Sequence, residues 1–344
     1  MSRAQSDPAL LPLPKAELHV HLEGSIEPAT AVELAARHGI RLTTEEVAAR
    51  YAPGDFSQFI EAFKWVTSLL RDPADYALAM EHLAESLARQ NVLYAEITLS
   101  VGVMLRREQD PAANLEAIRG AARKIPSLRC EWIFDCVRQF GPAAAMQVAQ
   151  CAAALRGEEV IAFGMGGDEL SLPASEFRGA YDFAAAAGLH RLVHAGETGD
   201  PAAITDAIGL LGAERIGHGI AAMRSERLMD SLAQSGVPLE VCPTSNLRTG
   251  ALARQLGTPT AREADHPLAT LLRHGVRVTL GADDPAMFET SLTEEYELAQ
   301  RIGLAPSEIA HLARSGFECA FLEPPARQTL LAAFETGRNA AGLL

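Results

Sequence analysis

Eight short apolar or β-branched runs recur along the chain, and most are separated by a segment with helical periodicity. The runs are Ala16–His21, Val92–Leu99, Cys130–Cys136, Val160–Gly164, His190–His194, Arg215–His218, Val237–Val241 and Val276–Leu280. The helical segments include Ala143–Leu155, Ala174–Ala187, Ala202–Leu211, Glu226–Gln234 and Pro267–His274, several of them rich in alanine, the best helix former. Eight strands alternating with helices predict an α/β fold, a closed (β/α)8 TIM-type barrel rather than an open sheet. Two stretches exceed a minimal barrel. Residues 28–89 read as a long helical excursion after the first strand, and residues 292–344 as a helical tail after the eighth. Both are expected to decorate one domain spanning 1–344.

Composition narrows the partners. The 344 residues carry 30 Lys+Arg against 44 Asp+Glu, a net charge of −14. Such a chain repels phosphate backbones and anionic lipid surfaces, so a small-molecule ligand is expected, with no nucleic acid and no membrane partner. Cys130, Cys136, Cys151, Cys242 and Cys319 form no CxxC and read as buried thiols of a reducing compartment. The N-terminal MSRAQSDPALLPLPK holds no apolar run of signal-peptide length, and no stretch is long and apolar enough to span a bilayer. A cytoplasmic location is expected.

Polar residues gather where the strands run out. His19 and His21 end the first, in ELHVHLEG; Gly166, Gly167, Asp168 and Glu169 follow the fourth, in FGMGGDE; His194 and Glu197 end the fifth, in VHAGE. His218 ends the sixth, in RIGHG; Cys242, Thr244, Ser245 and Asn246 follow the seventh, in EVCPTSN; Asp283 and Asp284 follow the eighth, in LGADDP. The carboxyl ends of parallel barrel strands form the rim where such enzymes work. Two apart on a strand, His19 and His21 share a face and can reach one ion, although alone they read equally well as ordinary histidines. His194 and Asp283 complete a set of three imidazoles and a carboxylate that suits a divalent borderline metal, Zn²⁺ first, with a position left for water.

The neighbouring groups have both chemical and structural readings. Glu197 can shuttle protons beside that water or cap the helix that follows. His218 can orient or deprotonate the water or be a satisfied structural histidine. Asp284 is a turn residue before Pro285 or a second functional acid. The glycines of GMGGDE lack a dinucleotide fingerprint and let a flat ligand approach the backbone. HExxH, a Walker A loop, GxSxG and the PCxxC deaminase signature are absent. Phe56, Phe59, Phe63 and Trp65 read as an apolar helix face against the barrel or as a lid over an aromatic ligand.

PKAELHVHLEGS, GMGGDE, HAGE, RIGHG, VCPTSN, the HP of ADHP and ADDP, in this order from Pro14 to about Tyr296, resemble the adenosine deaminase family of metal-dependent barrel hydrolases. The resemblance implies His19, His21, His194 and Asp283 as ligands of one Zn²⁺ per chain. It implies Glu197 as the acid that protonates ring N1, His218 beside the attacking water, and Asp284 on that water or on N7. The backbone N–H of Gly167 matches a contact to N3, and His21, Glu23, Gly167 and Asp284 are the expected substrate contacts. The implied activity is hydrolytic deamination at C6 of an adenosine-type purine nucleoside. Departures bear on the substrate. Glu23 stands where adenosine enzymes of the family usually have the Asp that contacts the ribose 5′ hydroxyl, Ala282 replaces the Thr of TDDP, and Asp135 occupies a position where a small residue is common. Glu23 and the Trp132–Asp135 segment point to a 5′-modified adenosine such as 6-aminodeoxyfutalosine. Adenine deamination, another amidohydrolase-type C–N hydrolysis at the same metal site, and a catalytically dead binding protein are the alternatives.

Overall fold

The computed structural model describes residues 10–52 and 56–340. Residues 1–9, 53–55 and 341–344, on which parts of the readings of the N-terminus, the excursion and the tail fall, lie outside the described residues. Eight parallel strands follow one another around the sheet in chain order: β1 (Lys15–His21), β2 (Val92–Leu99), β3 (Arg129–Val137), β4 (Val160–Gly166), β5 (His190–Ala195), β6 (Arg215–His218), β7 (Leu239–Val241) and β8 (Val278–Leu280). The ends meet through a parallel bridge between Val20 and Asp283, where the His21 N–H donates to the Asp283 carbonyl at 2.9 Å and the Asp283 N–H to the His19 carbonyl at 2.8 Å. The (β/α)8 barrel expected from the sequence is thus closed at the rim by the segments that carry three of the candidate ligands.

The last two strands start later than their apolar runs. Pro238 has no N–H for the ladder, though its carbonyl accepts from Ile216, and the Val276 N–H is taken by the Leu271 carbonyl at the end of the preceding helix. Most apolar side chains pack between strands and helices. Inside the barrel a small cluster of Ile133, Ala162 and Leu192, with Phe321 against it, separates the floor from the rim. Three of the cysteines are buried; Cys130 and Cys151 are half-buried, and none forms a disulfide.

The excursion consists of α1 (Pro28–Arg37), α2 (Thr44–Tyr51), α3 (Phe56–Thr67) and α4 (Pro73–Arg89). Local chemistry sets its starts: Thr43 and Glu46 form a capping box before α2, and Asp72 accepts from the Ala74 and Asp75 N–H groups with Pro73 in the first helical turn of α4. The tail is formed by helices Leu292–Ile302, Pro306–Cys319 and Pro324–Ala340. Its turn at 319–321 plugs the amino-terminal mouth of the barrel. Arg215 of β6, fully buried, bonds Glu96 of β2, Glu240 of β7 and the Cys319 carbonyl, with its guanidinium 3.8 Å from the Phe321 ring centroid. Arg215→Met leaves two buried carboxylates without their counter-ion and is expected to cost about 3–5 kcal/mol of stability, measurable as a lowered denaturant midpoint.

Candidate active site

Alternation along β1 turns Glu17, His19 and His21 into the barrel and Leu18 and Val20 outward into the helix layer. The candidate ligand atoms of His19, His21, His194 and Asp283 all lie within 4.8 Å of one another. His21 Nε2 is 3.3 Å from His194 Nε2, and Asp283 Oδ1 is 3.4 Å from His21 Nε2 and 3.6 Å from His19 Nε2. The far side of two rings is tied down. His19 Nδ1 donates to Glu240 Oε2 at 2.8 Å, and His194 Nδ1 donates to the Met165 carbonyl at 3.1 Å, which turns both Nε2 atoms toward the centre. Arg215 in turn holds Glu240, so the buried ion network beneath the site sets the tilt of a candidate ligand.

Close approach also fixes the backbone. A Cβ at Gly217 would stand 2.9 Å from His19 Cε1 and 3.2 Å from His194 Cγ, so only glycine leaves the rings where they are. His218 and Asp283 both have φ of 60°, a conformation that costs non-glycine residues free energy and is held here by the surrounding ladder.

The electrostatics favour positive charge at the centre of this group. Burial alone would raise Asp283, but the neighbouring His19, His218 and His21 rings hold it well below the ordinary carboxylate range. Burial would lower His19, yet Asp283 and Glu240 keep it above the usual imidazole value. Burial pushes His21 and His194 down to about 3, which leaves both neutral and able to donate a lone pair.

Around the four lie the acid–base candidates. Glu197 Oε1 is 3.7 Å from His218 Nε2, which is 3.8 Å from Asp283 Oδ2. Burial, then the charges of Asp283 and Glu169, raise Glu197 to about 8. Burial and the adjacent Asp283 likewise raise Asp284 well above its ordinary value. The turn that carries Glu197 is anchored by Glu169, whose carboxylate accepts from the Gly196, Glu197 and Thr198 N–H groups at 2.7, 3.1 and 3.0 Å.

A polar relay orients His218. The Leu268 N–H donates to His266 Nδ1, His266 Nε2 to Asn246 Oδ1, and Asn246 Nδ2 to His218 Nδ1. With Nδ1 accepting, the His218 proton sits on Nε2 and points at Glu197 and Asp283. Asn246 is legible in the sequence as a rim residue, but nothing there gives a role to it, to His266 or to Glu240, because the partners of each lie on other strands and loops.

The site opens onto a cavity of about 600 Å³, a size typical of small-molecule sites. His21, Glu197, His218, Asp283, Asp284 and Gly167 line it; Glu23 does not. Glu23 is buried beneath, with Oε1 accepting from the Ser100 N–H at 3.0 Å. One face of α3 covers the cavity with Phe56, Phe59, Ile60, Phe63, Lys64 and Thr67, while Trp65 turns away and packs on Tyr51, 6.3 Å between ring centroids. Arg106, lying 4.5 Å over Phe140, and Arg107 complete a cationic side of the mouth.

Comparison with known proteins agrees with this geometry. Residues 14–336 match the family described as adenosine deaminase. The chain is 39% identical over 333 residues to an aminodeoxyfutalosine deaminase of Streptomyces coelicolor (94% of this chain, 84% of that protein). It is 36% identical over 325 residues to an adenine deaminase of Rhizobium meliloti (93% and 98%). Among solved structures it resembles an adenine deaminase of Arthrobacter aurescens, with TM-score 0.87, 29% identity and coverage of 94% and 98%. It also resembles an amidohydrolase of Burkholderia ambifaria with bound Zn, with TM-score 0.90, 25% identity and coverage of 99% and 96%.

Proposed function

The chain belongs to the adenosine deaminase family, and from its site we propose that it is a zinc-dependent deaminase of an adenosine-type purine nucleoside, with a 5′-modified adenosine such as 6-aminodeoxyfutalosine as substrate. One observation carries the reading: four candidate ligand atoms converge on one point, with the Glu197 carboxyl, which burial pushes up to about 8, beside them. Zinc fits the donor set. His19 Nε2 is buried without a hydrogen-bond partner, two neutral imidazoles and a carboxylate face it, and three histidines with one carboxylate match the ligand types zinc takes.

Bound by His19, His21, His194 and Asp283, zinc supplies Lewis-acid activation of water. The chain's own groups do the rest. Water adds at C6 of the purine, the bond from C6 to the amino nitrogen breaks, and a 6-oxopurine and ammonia leave. Glu197 gives its proton to ring N1, which makes C6 electrophilic. Asp284, held protonated by burial and by Asp283, donates to N7, and the Gly167 N–H donates to N3, so each acceptor nitrogen of the six-atom edge and the imidazole edge meets a donor. His218, with its proton on Nε2, orients the attacking oxygen and steadies the charge that develops there.

The cavity extends past the space a bare purine fills, and the cations at 64, 106 and 107 suit an anionic group beyond the sugar. The identity to an aminodeoxyfutalosine deaminase supports the same choice. Adenine is the second reading, favoured by Glu23 in HLEG and by the adenine deaminases among the relatives. Initial rates of ammonia release test it. We expect kcat/KM for 6-aminodeoxyfutalosine to exceed that for adenosine at least about tenfold and that for adenine about a hundredfold. A preference for free adenine would overturn the nucleoside assignment.

A further inference from the structure

The reaction proposed above leaves one buried acid at the cavity without a task. Asp135, near the end of β3, projects into the barrel directly above Ile133 and lines the cavity. It is only 5% exposed, and burial raises its carboxyl to about 8, against the partial relief of one backbone hydrogen bond. That bond comes from the Gly166 N–H to Oδ2 at 3.1 Å; Oδ1 is buried with no partner among the described residues. The adjacent strand is kept bare for it. A Cβ at Gly164 would stand 2.9 Å from Oδ1, and one at Gly166 3.1 Å from Oδ2. An orphaned buried carboxyl oxygen carries a desolvation penalty unless a ligand relieves it.

Its place on the rim indicates which part of a ligand does so. The candidate metal ligands and acid–base groups stand at the ends of β1, β5, β6 and β8. The opposite arc, β2 to β4, presents Ser100, Asp135, Val137, Gly166 and Gly167, and no side chain among these has a step in the reaction proposed above. The non-reacting part of the substrate therefore faces this arc. With N3 of the purine at Gly167, the bond from N9 to the sugar points toward the neighbouring strand, β3. A hydroxyl both donates and accepts, so it satisfies Asp135 whether the carboxyl is ionised or not.

We infer that Asp135 is a specificity-determining residue whose free oxygen pairs with a secondary hydroxyl of the ribose, so that the site selects ribonucleosides over deoxyribonucleosides and over the free base. This rests on the deaminase reading and adds to it the part of the substrate that β3 recognises.

The test compares adenosine, 2′-deoxyadenosine and 3′-deoxyadenosine on the zinc-loaded wild type, Asp135→Ala and Asp135→Asn. Wild type should lose about 10- to 100-fold in kcat/KM when one of the two hydroxyls is removed, mostly through KM. In Asp135→Ala the ribose and deoxyribose substrates should converge to within about threefold, and Asp135→Asn, which keeps an acceptor for the Gly166 N–H, should fall between. Equal losses on all three substrates, or a wild type indifferent to both hydroxyls, would overturn the inference. Calorimetric titration with inosine and its 2′- and 3′-deoxy forms reads the same contrast without turnover. Absence of ammonia release from every purine would thus sink the deaminase reading while the calorimetry still decides Asp135.

Discussion

His194→Ala protein is expected to be purified with little zinc and to release ammonia on the order of 10⁴-fold more slowly than wild type. The reasoning is geometric. His194 Nε2 lies 3.3 Å from His21 Nε2, and its ring is aimed by the Met165 carbonyl, so its loss removes one of the four converging donors. A bound ion contributes several kcal/mol to such a reaction, which corresponds to roughly three to five decades in rate. Removal of the metal from wild type with a chelator should give the same loss, restored by added Zn²⁺, whereas His194→Ala should not recover at stoichiometric metal. Metal content, ammonia release and circular dichroism together separate this outcome from misfolding. A His194→Ala enzyme that keeps both one zinc per chain and its turnover would remove His194 from the ligand set.

Glu197→Gln should lower kcat by about 10³-fold and change KM far less, because a proton donated to N1 acts on the reacting ring and not on the binding of the sugar. The amide keeps a hydrogen-bond donor of similar shape but has no proton to give up. The pH dependence follows with a definite sign. Burial and the charge of Asp283 raise Glu197 to about 8, so the protonated, active form prevails at neutral pH. Wild-type kcat/KM should therefore fall about tenfold per pH unit above 8, and Glu197→Gln should lack this basic limb over pH 6–10. A variant with near-normal turnover would instead favour a C–N hydrolysis that needs no ring protonation, such as that of a cyclic amide.

Much of this site could be read before any coordinates. Parallel barrel strands all end at one rim, so polar residues at the ends of apolar runs were bound to meet, and the spacing of His19 and His21 put both rings on one face. What could not be read depends on contacts between distant segments. Glu240 looks like an ordinary strand residue until Arg215 and His19 are brought to its two oxygens. His266 and Asn246 are twenty residues apart and act together only because the chain folds His266 back beneath the β7 end. Asp and His are enriched among non-glycine residues at positive φ, but residue type alone does not say that His218 and Asp283 are the ones that adopt it. The aromatic excursion divided by helical phase: positions 56, 59 and 63 share the cavity face with 60, 64 and 67, whereas Trp65 points elsewhere. Glu23, expected from HLEG at the substrate, is buried behind Ser100 instead of lining the cavity.

Diffraction from crystals of the metal-loaded protein, recorded on both sides of the zinc absorption edge, reaches the centre of the account. It should give one anomalous peak per chain, about 2.0–2.2 Å from Nε2 of His19, His21 and His194 and from a carboxylate oxygen of Asp283. The description would be contradicted by a peak elsewhere, for instance at His38, Asp72 and Asp75, where Asp75 is already committed to Arg37 and His38 at 2.7 Å, or by a fully active enzyme with no peak among those four side chains.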